Sequence, residues 1–275
     1  MLQIPKIIHF FWDKTPLSYL QYLTIVSFNK FNPEWRIILH QTNKAYGSVT
    51  WVTPENRIKH SGKDYYNNLI NLDYVELNDI DFNELGFTEN LPDVYKSDYL
   101  RWYLLSTIGG VWSDMDILFI KPLSDLDLPE DTETVVCYGP EKHIIGFLMS
   151  KPYNDFFKVV LDDVNNVFNS NDYQCIGSKL LNKHHDNVLY RKDVYNLDKT
   201  AFYSYDHHVI NKIFNESDLS LITDKTIGIH WYNGSPISKN FTNIFDEDNT
   251  NFNNLITTLI IKHSIKNENN RIYTN

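Results

Sequence analysis

Short apolar runs alternating with helically spaced segments organise the first part of the chain. Ile4 to Trp12 (IPKIIHFFW), opened by Pro5 and dense in β-branched and aromatic residues, has the length and composition of a buried strand, the expected first strand of a central sheet. Pro16 to Phe31 follows with Ser18 in the N-cap position. Leu20, Leu23, Val26, Phe28 and Phe31 are spaced for one apolar face, and Asn32-Pro33 ends the helix, because the residue before a proline is held out of the α region. Trp35 to Leu39 (WRIIL) reads as a second strand. Strand, helix, strand is the unit from which parallel sheets are built.

The stretch from Tyr46 to Asn90 has no sustained period and yields one short apolar patch, Tyr74 to Leu77. Beyond it, Pro92-Asp93 starts a helix that runs through Leu104-Leu105 until Gly109-Gly110 stops it, and Val111-Trp112 leads into a strand at Ile117 to Ile120 closed by Pro122. Val135 to Tyr138 and Ile144 to Met149 are two further strands. Asn154 to Phe168 carries Phe156, Phe157, Val160, Leu161, Val164 and Phe168 at helical spacing, with Asp162-Asp163 on a polar face. Gln174 to Lys183 is a shorter helix or turn, Ile227 to Trp231 a late strand, and Leu255 to Ile265 a terminal helix. With no repeat and no long Pro/Gly/Ser linker, the 275 residues are expected to form a single α/β domain.

Composition narrows the function more than the fold. Twenty-five Lys and Arg against 35 Asp and Glu leave a net charge of -10, which repels a nucleic-acid backbone over most of the surface. A small phosphorylated ligand remains admissible if a metal or a cluster of donors neutralises it. The two cysteines, Cys137 and Cys175, have no CxxC spacing, so neither a zinc site nor a disulfide framework is expected. The beginning of the chain lacks the pattern of a signal peptide, and no window approaches 18 consecutive apolar residues, so the expected location is cytoplasmic, soluble or peripherally membrane-associated.

The candidate chemistry lies in Gly109-Gly110-Val111-Trp112-Ser113-Asp114-Met115-Asp116-Ile117. Two carboxylates two residues apart on an extended chain project to one side and can share a cation. Between apolar segments, unpaired ionised carboxylates are costly, and a hard divalent ion such as Mg²⁺ or Mn²⁺ compensates them. The other reading of the pair is a helix cap or a solvated loop. Upstream, Asp98 and Arg101 share a helix face at i, i+3, either as an exposed ion pair or as a carboxylate and guanidinium set to hold sugar hydroxyls. The Gly-Gly turn would bring that pair back towards Asp114. The adjacent pairs His184-His185 and His207-His208 read as surface positions, since neighbouring side chains diverge.

Ser-Asp-x-x-Arg, then Gly-Gly-x-x-x-Asp-x-Asp and Lys-Pro-Leu, after an N-terminal Ile-Pro-Lys-Ile-Ile-His-x-x-Trp, resembles the DXD sugar-binding glycosyltransferases of family 32, relatives of the catalytic domains of glucosylating clostridial toxins. The resemblance covers Ile4 to Trp12, Asn32 to Leu39 and Pro92 to Leu123, then continues weakly through Ile145 to Pro152, Gly177-Ser178 and His230-Trp231. It implies a glycosyltransferase A (Rossmann-like) fold with a mostly parallel sheet, residues 4–123 forming the nucleotide-sugar half and 124–275 the acceptor side with a closing C-terminal loop.

The same resemblance implies the roles. Trp12 would stack on the nucleotide base, Phe11 would add backbone contacts, and Trp112 would stand near base or ribose. Asp98 and Arg101 would hold the donor sugar. Asp114 would bridge ribose or sugar and metal, Asp116 would ligate the metal directly, and His230 would be a third ligand, while Asn233, Gly234 and Ser235 would offer donors to the diphosphate. The implied activity is transfer of a hexose or N-acetylhexosamine, with Mn²⁺ or Mg²⁺ and with retention, from a nucleotide-diphosphate sugar (UDP favoured over GDP) to a glycan or other hydroxyl acceptor. A nucleotide-sugar hydrolase and a non-catalytic carbohydrate-binding protein are the alternatives.

Overall fold

A strand at Ile7–Phe11 (β1) stands at the centre of a seven-stranded sheet in the computed structural model, which describes residues 3–42, 59–88, 91–139, 142–184 and 191–266. Residues 46–58 and 89–90 of the featureless stretch, and His185 of the first histidine pair, lie outside the described residues. β1 pairs in parallel with β2 (Arg36–Thr42), and β2 with β3 (Val75–Ile80). On its other side β1 pairs in parallel with β4 (Gly110–Ser113), Ile8 lying opposite Val111. The later strands β6 (Thr134–Tyr138), β7 (His143–Ser150) and β8 (Val194–Asp198) complete the order β3-β2-β1-β4-β7-β6-β8. Only β7 runs against its neighbours; its pairing with β6 reaches Tyr138 opposite His143, beyond which the Gly139 amide donates to the Lys142 carbonyl at 2.9 Å. The expected mostly parallel α/β sheet is present, and it takes strands from both halves of the chain.

Alternating side chains give the sheet two buried faces. Ile8, Phe10, Val111, Val135 and Phe147 point to one core, shared with α1 (Tyr19–Phe31) and α9 (Leu255–Lys262). Phe11, Trp112, Val136 and Leu148 point to the other, shared with α3 (Asp93–Thr107), α4 (Asp155–Asp162) and α6 (Ser178–Lys183). The shorter helices are α2 (Tyr66–Ile70), α5 (Val164–Val167), α7 (Ile210–Asn215) and α8 (Pro236–Thr242). Among the described residues no helix is long and apolar enough to cross a membrane.

Ser18 caps α1 as expected, in a reciprocal box: its hydroxyl accepts from the Gln21 amide and the Gln21 side chain accepts from the Ser18 amide. The helix, however, is buried all round from Tyr19 to Phe28 rather than along one face. Its polar side chains explain why. Thr24 donates to the Met115 carbonyl (3.2 Å), Ser27 accepts from the Phe119 amide (3.1 Å), and Asn32 accepts from the Leu123 amide (2.8 Å), so this polar edge fastens the segment that follows β4.

That segment departs from expectation. Val111-Trp112 and Ile117 to Ile120 are not one strand: β4 ends at Ser113, and β5 (Ile117–Phe119) leaves the central sheet to pair antiparallel with β9 (Gly228–His230) in a separate two-stranded sheet. Asp114 and Asp116 therefore sit on the turn between two sheets, not on a strand. The helix expected over Asn154 to Phe168 is also two pieces, α4 and α5, broken at Asp163, with Asn154 as its N-cap.

Candidate functional site

The carboxyl ends of β1 and β4, the N-terminal half of α3 and the loop after β9 converge on the Asp114-Met115-Asp116 turn, the end of a parallel sheet at which α/β folds commonly place ligands. The turn is held from three sides. The Asp114 amide donates to the Gly146 carbonyl (2.8 Å), Met115 accepts from Thr24, and the Trp231 amide donates to the Asp116 carbonyl (2.8 Å). Gly109 and Gly110, at φ +70° and +102°, end α3 in conformations that favour glycine and return the chain beside that helix.

Asp98 and Arg101 do form a pair, at 2.8 Å, but a buried one, 1% and 4% exposed, so the exposed surface bridge is excluded. Arg101 also reaches Asp114 Oδ1 (3.4 Å), donates to the Ile145 carbonyl (2.7 Å) and Ser97 Oγ (3.3 Å), and stacks on the Trp112 ring at 5.0 Å. Trp112 Nε1 donates to the same Asp114 Oδ1 at 3.0 Å. Burial raises the Asp98 carboxyl to about 6, outweighing the guanidinium, with Asp114 adding to the rise. Asp98 Oδ2 and Arg101 Nε are buried without a hydrogen-bond partner, which suits a polyhydroxyl ligand that would supply one.

Asp116 is engaged at both oxygens, Oδ1 with His230 Nε2 at 3.0 Å and Oδ2 with the Asn233 amide at 2.8 Å. Burial alone would raise its pKa, but His230, the Asn233 N–H and nearby Lys239 together hold it below the usual carboxylate range. Asp114, Asp116 and His230 offer ligand atoms within 4.8 Å of one another. Two carboxylates and an imidazole suit Mn²⁺ or Mg²⁺, which take hard oxygen donors and tolerate a borderline nitrogen.

Two clefts meet over this cluster. The smaller, of 240 Å³, is lined by Phe11, Trp12, Asp98, Arg101, Trp112 and Asn233. The larger, of 600 Å³, is lined by His230, Ser235, Tyr173, Tyr203, Tyr232 and Asp206 among others. Asp114, Asp116, Ile145, Gln174 and Gly234 border both. Of the nucleotide-site residues expected from the sequence, the structure gathers all but Ser235 in the smaller cleft. Ser235 lines the larger cleft, with its hydroxyl on Ser238 as the cap of α8 and its amide on the Tyr232 carbonyl. Trp12 is half-buried with its Nε1 donating to the Thr15 carbonyl at 2.8 Å, which fixes the indole plane; Phe10 and Phe11 are core. His207 and His208 are exposed, as expected of an adjacent pair, although with Asp206 they form a second cluster of possible ligands.

Several site residues were beyond sequence reasoning. Gly146 lies in mid-strand, where a glycine signals close approach of another group: a Cβ there would stand 2.4 Å from the Tyr203 hydroxyl and 2.7 Å from Asp114 Oδ2. Gly177, which the sequence marks only within the weak continuation of the resemblance, would put a Cβ 2.3 Å from Asp98 Oδ2. Gln174 and Tyr232 occupy left-handed backbone conformations, φ 60° and 55°, beside the clefts, a strain with no sequence signal in a non-glycine residue.

Residues 20–134 match the protein family described as glycosyltransferase sugar-binding region containing DXD motif. Among solved structures, the apo-form glycosyltransferase GlyE of Streptococcus pneumoniae is similar at 13% identity and a TM-score of 0.50, over 96% of this chain and 61% of that chain. The PaToxG glycosyltransferase is similar at 16% identity and a TM-score of 0.49, over 68% and 70% of the two chains. The galactosyltransferase LgtC, in complex with donor and acceptor sugar analogs, is similar at 16% identity and a TM-score of 0.44, over 82% and 87%. At these identities the likeness is one of fold, the glycosyltransferase A type. No curated protein matches the chain.

Proposed function

For a chain that carries the sugar-binding region of a DXD glycosyltransferase in residues 20–134, we propose metal-dependent transfer of a hexose or N-acetylhexosamine from a UDP-sugar to a hydroxyl of a glycan. The observation that carries this reading is the pair of clefts sharing the Asp114 and Asp116 carboxylates: a donor on one side and an acceptor on the other would meet over one cluster. The whole chain acts as one domain in this reading, residues 4–123 holding the nucleotide sugar and 124–275 supplying the acceptor side and the closing loop.

In the smaller cleft the fixed Trp12 indole offers a face for the base, with Phe11 and Trp112 completing the wall. Asp98 Oδ2 and Arg101 Nε take sugar hydroxyls, and the buried Arg101 fork keeps the carboxylates of Asp98 and Asp114 at fixed separation. Asp114, Asp116 and His230 would hold Mn²⁺ or Mg²⁺. Held by these three side chains, a divalent ion would supply positive charge against the negative charge that develops on the β-phosphate when the sugar–oxygen bond breaks. His230 would offer its Nε2 there, and the Asn233 amide N–H keeps the second oxygen of Asp116 from swinging away. Retention at the anomeric carbon is the outcome expected from the family likeness.

The test is a panel of nucleotide sugars, with Mn²⁺ and with chelator, read as nucleotide release and thermal stabilisation in the wild type and Asp116→Ala. Turnover of one UDP-sugar, lost with chelator and in the variant, supports the reading, and the anomer of the product reports retention. Binding of a glycan with no donor turned over under any metal favours the non-catalytic alternative.

A further inference from the structure

Resting on the metal-binding part of that reading, we infer that Tyr203 is a positioning residue for the Asp114, Asp116 and His230 cluster, its hydroxyl donating to Asp114 Oδ2 when that carboxylate turns onto a cation. The phenol is 4% exposed and its oxygen is fully buried without a hydrogen-bond partner, an arrangement that costs stability unless some state of the protein supplies an acceptor.

The surroundings identify that acceptor. Oδ1 of Asp114 already receives the Trp112 indole N–H and faces the Arg101 guanidinium, which leaves Oδ2 to turn. Oδ2 and the Tyr203 hydroxyl flank the same bare Gly146, each within 3 Å of where a Cβ would stand. The Tyr203 ring also lies against His230, with centroids 4.8 Å apart, so one side chain neighbours two of the three candidate ligands. Outer partners of this kind fix ligand orientation, and their removal typically weakens metal binding ten- to a hundredfold.

Manganese binding to the whole chain tests this, titrated with Mn²⁺ alone and read by calorimetry or the spectrum of free Mn²⁺. Wild type, Tyr203→Phe and Asp116→Asn are compared, with the melting temperature of each metal-free protein. The expected result is an Mn²⁺ Kd raised about tenfold or more in Tyr203→Phe, with a metal-free Tm equal to or above wild type because an orphaned hydroxyl has been removed. An unchanged Kd overturns the inference, and so does a lowered metal-free Tm, which would assign the hydroxyl to the fold. The controls separate it from the functional reading. Binding by wild type that is lost in Asp116→Asn but intact in Tyr203→Phe defeats this inference alone, whereas no binding by wild type defeats both.

Discussion

His40 donates its Nε2 proton to Nδ1 of His9 across 3.0 Å in the interior of the sheet, and the direction of that bond is fixed by what lies at either end. His9 Nε2 meets the Gly109 carbonyl (3.0 Å), which can only accept, so Nδ1 of a neutral His9 must accept in turn. His40 Nδ1 then accepts from the Asn78 amide at 2.9 Å. The relay runs from β3 to the Gly-Gly turn ahead of the Asp114 turn and is complete only with both rings neutral. Burial holds His9 down to about 4 and His40 well below its ordinary value.

Acid should therefore act against this relay as pH falls below the ordinary histidine range. The unfolded histidines take up protons near 6.5 and the folded ones do not, so the stability present above 6.5 is lost as pH falls towards 4. His9 alone accounts for on the order of 3 kcal/mol. Asp98, raised to about 6, works in the opposite sense over the same range, so urea midpoints between pH 8 and 4 are compared for wild type and His9→Asn: the advantage of wild type should shrink as pH falls from 6.5 to 4, and a constant difference would contradict the neutral relay.

Arg101→Lys should cost far more than its retained charge suggests. Lysine cannot reach Asp98, Asp114 and the Ile145 carbonyl together or stack on Trp112. Leaving buried Asp98 poorly paired destabilises by roughly 3 to 5 kcal/mol, and misplacing the carboxylates lowers kcat/KM about a hundredfold. Urea unfolding and donor turnover read the two effects separately.

Gly177→Ala places a methyl against Asp98 Oδ2, so the carboxylate must move although the surrounding helix can form unchanged. A displacement near 1 Å at a reacting centre costs about a hundredfold in rate. The expected signature is a fall in kcat/KM with a circular dichroism spectrum like wild type, and wild-type turnover would show that Asp98 has no positional demand.

Lys96 and Asp13 form a second buried ion pair, 3.1 Å long and 1% exposed on each side, below the Trp12 end of β1. Lys96→Met strands Asp13 in the interior and should destabilise by roughly 3 to 5 kcal/mol. Asp13→Leu added to Lys96→Met should recover much of that loss, as thermal or urea unfolding of the two variants would show.

The parts legible in the sequence were those with a local cause. β1, β2, β6 and β7 are apolar runs, α1 carries its own capping box, and α3 ends where Gly109-Gly110 must end it. β3 (VELNDI) and β8 (VYNLD) take the two edges of the sheet with polar side chains and carry little apolar signal. The Asp-x-Asp pair does not lie on the extended strand expected for it, and only the family resemblance pointed to His230 beside it. Its carboxylates meet His230 because a turn joins two sheets, and no property of residues 110–120 reveals that β9 waits more than a hundred residues later. For Asp98 and Arg101 the sequence left a surface pair and a sugar-holding pair both open, because the burial that decides between them depends on β7 and on Gly177.

β5 and β9 pair Ile117 with His230. Backbone register, not the length of chain between them, thus brings the imidazole to Asp116. Insertions in the connection from β5 to β9 could lengthen the walls of the larger cleft without disturbing this meeting point, whereas a one-residue slip within β9 would present Ile229 or Trp231 in place of the histidine. The fold thereby separates the meeting point of the carboxylates and the imidazole, which must stay constant, from cleft walls that can be re-cut.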